Sequence, residues 1–343
     1  MPVIDNKTIT HILINRLDAM GDVVLQLSTC IYLKQLYPDV IVSILGRSYT
    51  KPVVDACKAV DHFINYDELE PLSVPEIAVV FKDKGIDAIV HEFPKRQIAE
   101  AAKKAGIKIR IGVTSRNYHF FTCNKLIRLS RRRSDLHEAQ QNIYMCKPLG
   151  VTHIPTLGTI ANLYRDNFKP TVDLPTQVKD LLKNDKFNLI IHSKSNGNGR
   201  EWDQENFTAL IKLLPEDRFR VFITGSEKEH QLFKSWIPQL PAHVIDMSGK
   251  LSLNELIALI YHADGLLASG TGPLHVAAAA GIHTLGLFPI TQGIDAKRWA
   301  PMGIKAEHIE SNGDDLSSIT VNMVYERINE WVMDNTNHRL TTV

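Results

Sequence analysis

The feature that most constrains this chain is an alternation of short apolar runs with longer segments of helical period, broken once near its middle. In the first half, strand-like runs lie at 11–16 (HILINR), 40–45 (VIVSIL), 60–64, 87–91 (DAIVH) and 107–113 (IKIRIGV). Helical segments fall between them at about 22–37, 51–59, 74–84 and 96–105, and a further helix over 135–149 ends at Gly150. Apolar runs without polar alternation suit strands covered on both faces, so the pattern predicts parallel α/β structure. Residues 151–176 mix Pro, Gly and polar residues without a sustained period and read as an interdomain connection.

The alternation then restarts. Strands are expected at 187–192 (FNLIIH), 219–224, 242–246, 264–268 and 283–288, with helices at 204–214, 227–237, 252–262 and 273–281. An amphipathic helix near 316–335 follows. A length of 343 residues fits two such domains. The expected division is 1–160 for the first domain, 161–176 for the linker and 177–320 for the second. A C-terminal helix and tail, 321–343, has a return onto the first domain as one placement. Two open α/β units of this kind expose a cleft where the carboxyl ends of their sheets face each other, and ligands bind there.

Cys30, Cys57, Cys123 and Cys146 are scattered, with no CxxC pair and no metal-ligand spacing, which fits small buried hydrophobes in a reducing compartment. No acidic cluster resembles a divalent-metal site, so the chemistry is expected to need no metal or cofactor. The N-terminus lacks the pattern of a signal peptide, and no run approaches the length of a transmembrane span. A cytosolic protein is therefore the expectation, which leaves room for a visit to a membrane surface.

Three loops carry the candidate chemistry. The first follows the opening strand as Arg16-Leu17-Asp18-Ala19-Met20-Gly21-Asp22. Gly21 permits a tight turn, and Asp22 sits where a carboxylate either caps helix amides or projects as a general base. Asp18 competes for the second role. One glycine does not make a dinucleotide fingerprint, so NAD is not supported. In the second loop, Ser193, Lys194, Ser195, Arg200 and Trp202 precede a helix, an arrangement suited to a pyrophosphate, or else a solvated basic loop. The third loop, Ser269-Gly270-Thr271-Gly272-Pro273, opens an Ala-rich helix and offers backbone amides to a diphosphate. His275 follows in its first turn, where a buried structural role is the plain alternative.

Taken together, these loops resemble those of the lipopolysaccharide heptosyltransferases of glycosyltransferase family 9. The matching pieces are Arg16 with Met20-Gly21-Asp22, then Arg200-Glu201-Trp202, then Thr271-Gly272-Pro273-Leu274-His275. The resemblance implies a GT-B fold, in which two Rossmann-like domains face a central cleft, and an inverting glycosyltransferase. It makes Asp22 the base and Arg200 the group that stabilises the departing nucleotide diphosphate. Ser193, Lys194, Gly270, Thr271, Gly272, Pro273 and His275 would line the donor site. Glu227 would bind the ribose, with Glu229 close enough to compete. ADP-heptose is the implied donor and a Kdo-lipid A type glycolipid the implied acceptor. The family usually places an acidic residue immediately before the Ser/Thr-Gly of the third loop, where this chain has Gly270.

Acceptor binding is assigned to Arg16, Asp18, Arg116 and Arg128. Residues 95–133 hold twelve basic residues and one acidic residue, Glu100, in a chain whose formal charge is only +1. Such a stretch fits an anionic glycolipid at the inner face of the cytoplasmic membrane, with 113–133 as a mobile acceptor loop. A solvated basic face is the plain alternative. Nucleic acid is not expected as a partner, although Tyr118, Phe120 and Phe121 interleave with the charges. The rival activities are a nucleotide-sugar epimerase of similar fold and a non-catalytic protein that binds a nucleotide sugar or glycolipid.

Overall fold

In the computed structural model, residues 1, 3–4, 7–183, 185–195, 197 and 199–340 are described, without the side chains of 3, 4, 7 and 334–340. The expected tail, 341–343, lies outside the described residues. The chain divides into two compact units, Met1–Lys169 and Pro170–Val343.

The first unit holds a six-stranded sheet of β1 (His11–Asn15), β2 (Ile41–Gly46), β3 (His62–Asn65), β4 (Ala88–His91), β5 (Ile109–Val113) and β6 (Lys125–Ile127). Its order is β3-β2-β1-β4-β5-β6, and every pairing is parallel. Its principal helices are α1 (Met20–Leu36), α2 (Lys51–Asp55), α3 (Val74–Asp83), α4 (Arg96–Ala105), α5 (His119–Thr122), α6 (Glu138–Met145) and α7 (Leu157–Leu163). β1 and β4 are buried along their whole length, which is why they appear in the sequence as unbroken apolar runs. Leu13 and Ile89 pack with Ile77 and Phe81 of α3 and Ile98 of α4. Truncating Leu13 to Ala would cost about 2–5 kcal/mol through lost transfer energy and the cavity left behind. Local signals fix the helix ends: Ser73 and Glu76 form a capping box on α3, and α4 stops at Gly106, whose φ of 76° is left-handed.

The second unit repeats the plan with β7 (Phe187–His192), β8 (Phe219–Ile223), β9 (Val244–Asp246), β10 (Gly265–Ser269), β11 (His283–Phe288) and β12 (Ala306–Glu310). The order is β9-β8-β7-β10-β11-β12, again all parallel. Its main helices are α8 (Gln204–Leu213), α9 (Glu227–Phe233), α10 (Leu253–His262), α11 (Gly272–Ala280) and α12 (Val321–Leu340). Val324, Ile328 and Trp331 of α12 enter the core of this unit beside Phe187 and Phe219.

Two strands of the six-stranded sheets escape the apolar-run criterion. β6 is only three residues long and half-buried, while β12 (AEHIE) is a half-exposed edge strand whose charges break the run. The segment 113–133 is accordingly not a loop throughout, because α5 and β6 lie within it and Ile111 of β5 pairs with Lys125. Residues just before the unit boundary also pack on the first unit: the Tyr164 hydroxyl donates to the Val24 carbonyl at 2.8 Å, and Phe168 bridges to Cys57. The four cysteines are buried and form no disulfide.

Candidate active site

In each sheet the connections leave two neighbouring central strands in opposite directions. The crevice beyond the carboxyl ends of those strands is where ligands bind in such folds. In the first unit these strands are β1 and β4, and in the second β7 and β10. Every one of the three candidate loops follows one of them.

After β1 the chain turns through Arg16 to α1, which begins at Met20 with Ala19 in the capping position and no side-chain cap. Asp22 is therefore the third helical residue and not the helix cap, and its carboxylate accepts from Nη2 of Arg16. Arg16 is almost completely buried, at 1% exposure. Its Nε lies 2.8 Å from Oδ1 of Asp18, its Nη2 lies 3.1 Å from Oε1 of Glu138, and its Nη1 donates to Asn142 Oδ1 at 3.2 Å. Burial opposes the charge on Arg16, but Asp18, Asp22 and Glu138 outweigh it and hold the guanidinium firmly protonated.

A second arginine completes the cluster. Arg131 donates to Glu138, to Glu92 and, at 2.9 Å, to Asn142 Oδ1. Glu92 directly follows β4 and is buried at 4% exposure. Four carboxylates thus meet two guanidiniums. Burial pushes the Glu92 carboxyl up to about 7, against the pull of Arg131 and Arg16, and pushes Asp18 up to about 6, against Arg16. Arg16, Asp18 and Asp22 are brought together as expected candidates, whereas Arg116 and Arg128 stand exposed on the surface. Glu92, Arg131, Glu138 and Asn142 escaped the sequence reading. The signal for Glu92 was its place directly after a strand, which becomes informative only once β4 is known to lie beside β1.

In the second unit, His192 of β7 pairs in register with Ala268 of β10, so the second and third loops emerge side by side. Their backbones nearly touch. A Cβ on Gly199 would lie 2.8 Å from the Gly270 carbonyl oxygen, so only glycine allows this approach. Ser193 at the end of β7 and Ser269 at the end of β10 are buried, and neither hydroxyl has a hydrogen-bond partner among the described residues. Thr271 occupies the capping position of α11 without a side-chain cap, and Pro273 stands in the first turn. Two buried hydroxyls and the leading amides of a helix are a suitable set of donors for phosphate oxygens.

The cations of the second loop differ in their ties. Lys194 Nζ lies 2.8 Å from Oε2 of Glu201, and the other oxygen of that carboxylate accepts from the Ser195 amide at 2.9 Å. Arg200 is exposed, anchored by its Nε to the Asp314 carbonyl at 3.0 Å. Trp202 is a packing residue: it is buried, its indole donates to the Ile319 carbonyl at 2.9 Å, and its ring meets Phe207 edge-on. His275 is also buried, within α11. The two acidic candidates after β8 are separated by their contacts. Glu229 closes the capping box of α9, its Oε2 accepting from the Ser226 amide at 2.6 Å, while Glu227 is exposed beside Gly249. At the position where an acidic residue is usual, a Cβ on Gly270 would meet Cε1 of Phe288 at 3.3 Å. Among the described residues no group of three or more His, Cys, Asp or Glu side chains is placed to hold a metal ion, and no helix is long and apolar enough to cross a membrane.

Two parallel sheets of the order 3-2-1-4-5-6, each with candidate loops at its switch point, have the architecture of the GT-B fold. Residues 101–323 match the model of glycosyltransferase family 9 (heptosyltransferase), and the chain belongs to that family. A Haemophilus influenzae protein named "Putative glycosyltransferase" is 25% identical over 309 residues, spanning 87% of this chain and 88% of that one. Among solved structures, a family 9 glycosyltransferase from Veillonella parvula superposes with a TM-score of 0.78 at 18% identity, covering 97% of this chain and 99% of that one. The Escherichia coli ADP-heptose LPS heptosyltransferase II gives 0.74 at 18% identity, covering 95% and 99%.

Proposed function

We propose that this glycosyltransferase moves a heptose from ADP-heptose onto the inner core of lipopolysaccharide, with inversion at the anomeric carbon and without a metal ion. The observation that carries this reading is Asp22, a carboxylate at the switch point of the first sheet, oriented by a buried arginine. Asp22 takes the proton of the acceptor hydroxyl as that oxygen attacks the anomeric carbon, and the bond to the diphosphate breaks in the same displacement. Arg200 and Lys194, with the hydroxyls of Ser193 and Ser269 and the amides about Thr271 and Gly272, take up charge on the departing ADP. Glu227 accepts hydrogen bonds from the ribose. Pro273 and His275 shape the start of α11.

The acceptor is an anionic glycolipid of the Kdo-lipid A type, met at the inner face of the cytoplasmic membrane by a peripheral protein. Arg116 and Arg128 hold its anionic groups. Support comes from family membership, from the ADP-heptose named for the E. coli structure, and from the basic surface of the first unit.

The test is acceptor-dependent transfer from ADP-heptose, with ADP binding followed by calorimetry. Asp22→Asn is expected to lower kcat by about 10²–10⁴ while leaving ADP affinity unchanged. A chelator is expected to leave the rate unchanged. Release of free sugar without an acceptor would instead indicate the epimerase reading, and binding without turnover a non-catalytic protein.

A further inference from the structure

Phe120 and Phe121 are adjacent, and both face solvent, at 55% and 75% exposure. Phe121 is the most exposed large hydrophobic side chain among the described residues. This is not a frayed end. Their helix, α5, is fixed on its inner side by His119 and Thr122, which are buried. The Val113 amide donates to Nδ1 of His119 at 3.0 Å, and α5 packs against α4 and β5. The fold therefore presents the two rings outward from a built platform.

The surroundings are cationic. Residues 114–133 contain Arg116, Lys125, Arg128, Arg131, Arg132 and Arg133 and no acidic residue. Arg116, Arg128, Arg132 and Arg133 are exposed, and the last turn of α4 adds exposed Lys103 and Lys104. The segment then turns inward at Arg131, which holds Glu92 and Glu138, and Glu138 in turn holds the arginine that orients Asp22. One stretch of chain thus joins the exposed aromatic pair to the candidate base.

We propose that α5 is a membrane-docking element. Phe120 and Phe121 enter the interfacial layer of an anionic phospholipid bilayer, and the arginines around them lie on its headgroups. Apolar rings rimmed by cations on a fixed platform match such a surface in both respects: the rings gain from leaving water, and the cations from the negative surface potential. The absence of acidic residues from 114–133 favours the bilayer over a second copy of this chain, whose total charge is close to neutral. The inference rests on the reading that the acceptor is lipid-borne, and it names the surface that would deliver that acceptor.

The full-length protein is sedimented with vesicles of phosphatidylcholine alone and of phosphatidylcholine with phosphatidylglycerol. Wild type is expected to bind the second kind only, more weakly as salt rises, and F120S/F121S to bind about tenfold less with an unchanged thermal midpoint. The Phe121→Trp variant should show a blue-shifted indole emission on the anionic vesicles, which keeps the test open should the double variant fold poorly. Wild-type binding by F120S/F121S, or an emission from the Phe121→Trp variant that does not shift, overturns the proposal. So does a loss of self-association, in place of vesicle binding, in the double variant. Transfer to a deacylated, water-soluble acceptor separates the two claims. It should be the same in wild type and F120S/F121S within about twofold, and its absence in wild type would count against the transferase reading while vesicle binding is judged separately.

Discussion

The two units share a strand order and place their candidate residues at the same point of it, yet they hold those residues in opposite ways. In the first unit the carboxylate Asp22 is the outer member of a buried lattice of side chains, in which Arg16 and Arg131 share Glu138 and Asn142. In the second unit the proposed phosphate-binding parts are backbone and short hydroxyls, with glycines letting two loops approach and Arg200 reaching out from an exposed position. A general base must be aimed at one proton, and a network of charged partners restricts its rotation. A diphosphate is a diffuse charge, and amides on a rigid helix start suit it better.

The contrast can be broken most sharply by separating stability from catalysis. Glu138→Ala leaves the buried Arg16 and the half-buried Arg131 short of a carboxylate and is expected to destabilise the first unit by about 3–5 kcal/mol in urea unfolding. Arg200→Ala, at an exposed site, should shift stability by less than about 0.5 kcal/mol while lowering kcat by about 10²–10³. Equal destabilisation by the two substitutions would mean that burial does not hold the first site together.

A smaller effect tests the loops of the second unit. In Gly199→Ala the new methyl meets the Gly270 carbonyl oxygen at 2.8 Å, so one loop must move. ADP affinity by calorimetry is expected to fall about tenfold, with the unfolding midpoint little changed. Gly270→Asp sharpens the same point, since its Cβ would meet Cε1 of Phe288 at 3.3 Å and the ring must give slightly. A several-fold change in preference among ADP-sugars, on the order of 1 kcal/mol, is the expected result, and unaltered selectivity would place the donor sugar elsewhere.

The smallest effect is on pH dependence. Glu92 and Asp18 bind protons more tightly when folded, at about 7 and about 6, than their ordinary values of 4.5 and 3.8. Their contribution to stability is fully present below those ordinary values and is lost as pH rises through the folded ones. The urea midpoint should therefore decline between about pH 4 and pH 7 in wild type, and Glu92→Gln should flatten part of that slope. A slope unchanged by Glu92→Gln would assign the proton uptake elsewhere.

Much of this molecule is legible from its residues. The doubled alternation of apolar runs yields the two parallel sheets, because strands buried on both faces must be apolar along their length. The three loops announce themselves by glycine, proline and isolated charge directly after such runs. β6 and β12 do not, since edge strands are half-exposed and tolerate Lys125, Glu307 and Glu310. Trp202 shows the same limit for a side chain: its place in the motif gives no sign that its indole is spent on the Ile319 carbonyl.

By itself, then, the sequence determined the fold class and picked out the candidate loops, because secondary structure, turns and helix starts are set by neighbours along the chain. Only the tertiary structure decided which charges meet. Arg16 and Glu138 stand far apart in sequence, as do Arg131 and Glu92, and their contact follows from strand order and helix packing. Charge is conspicuous in a sequence, but whether it is solvated or paired depends on burial, and burial is a property of the assembled sheet and helices.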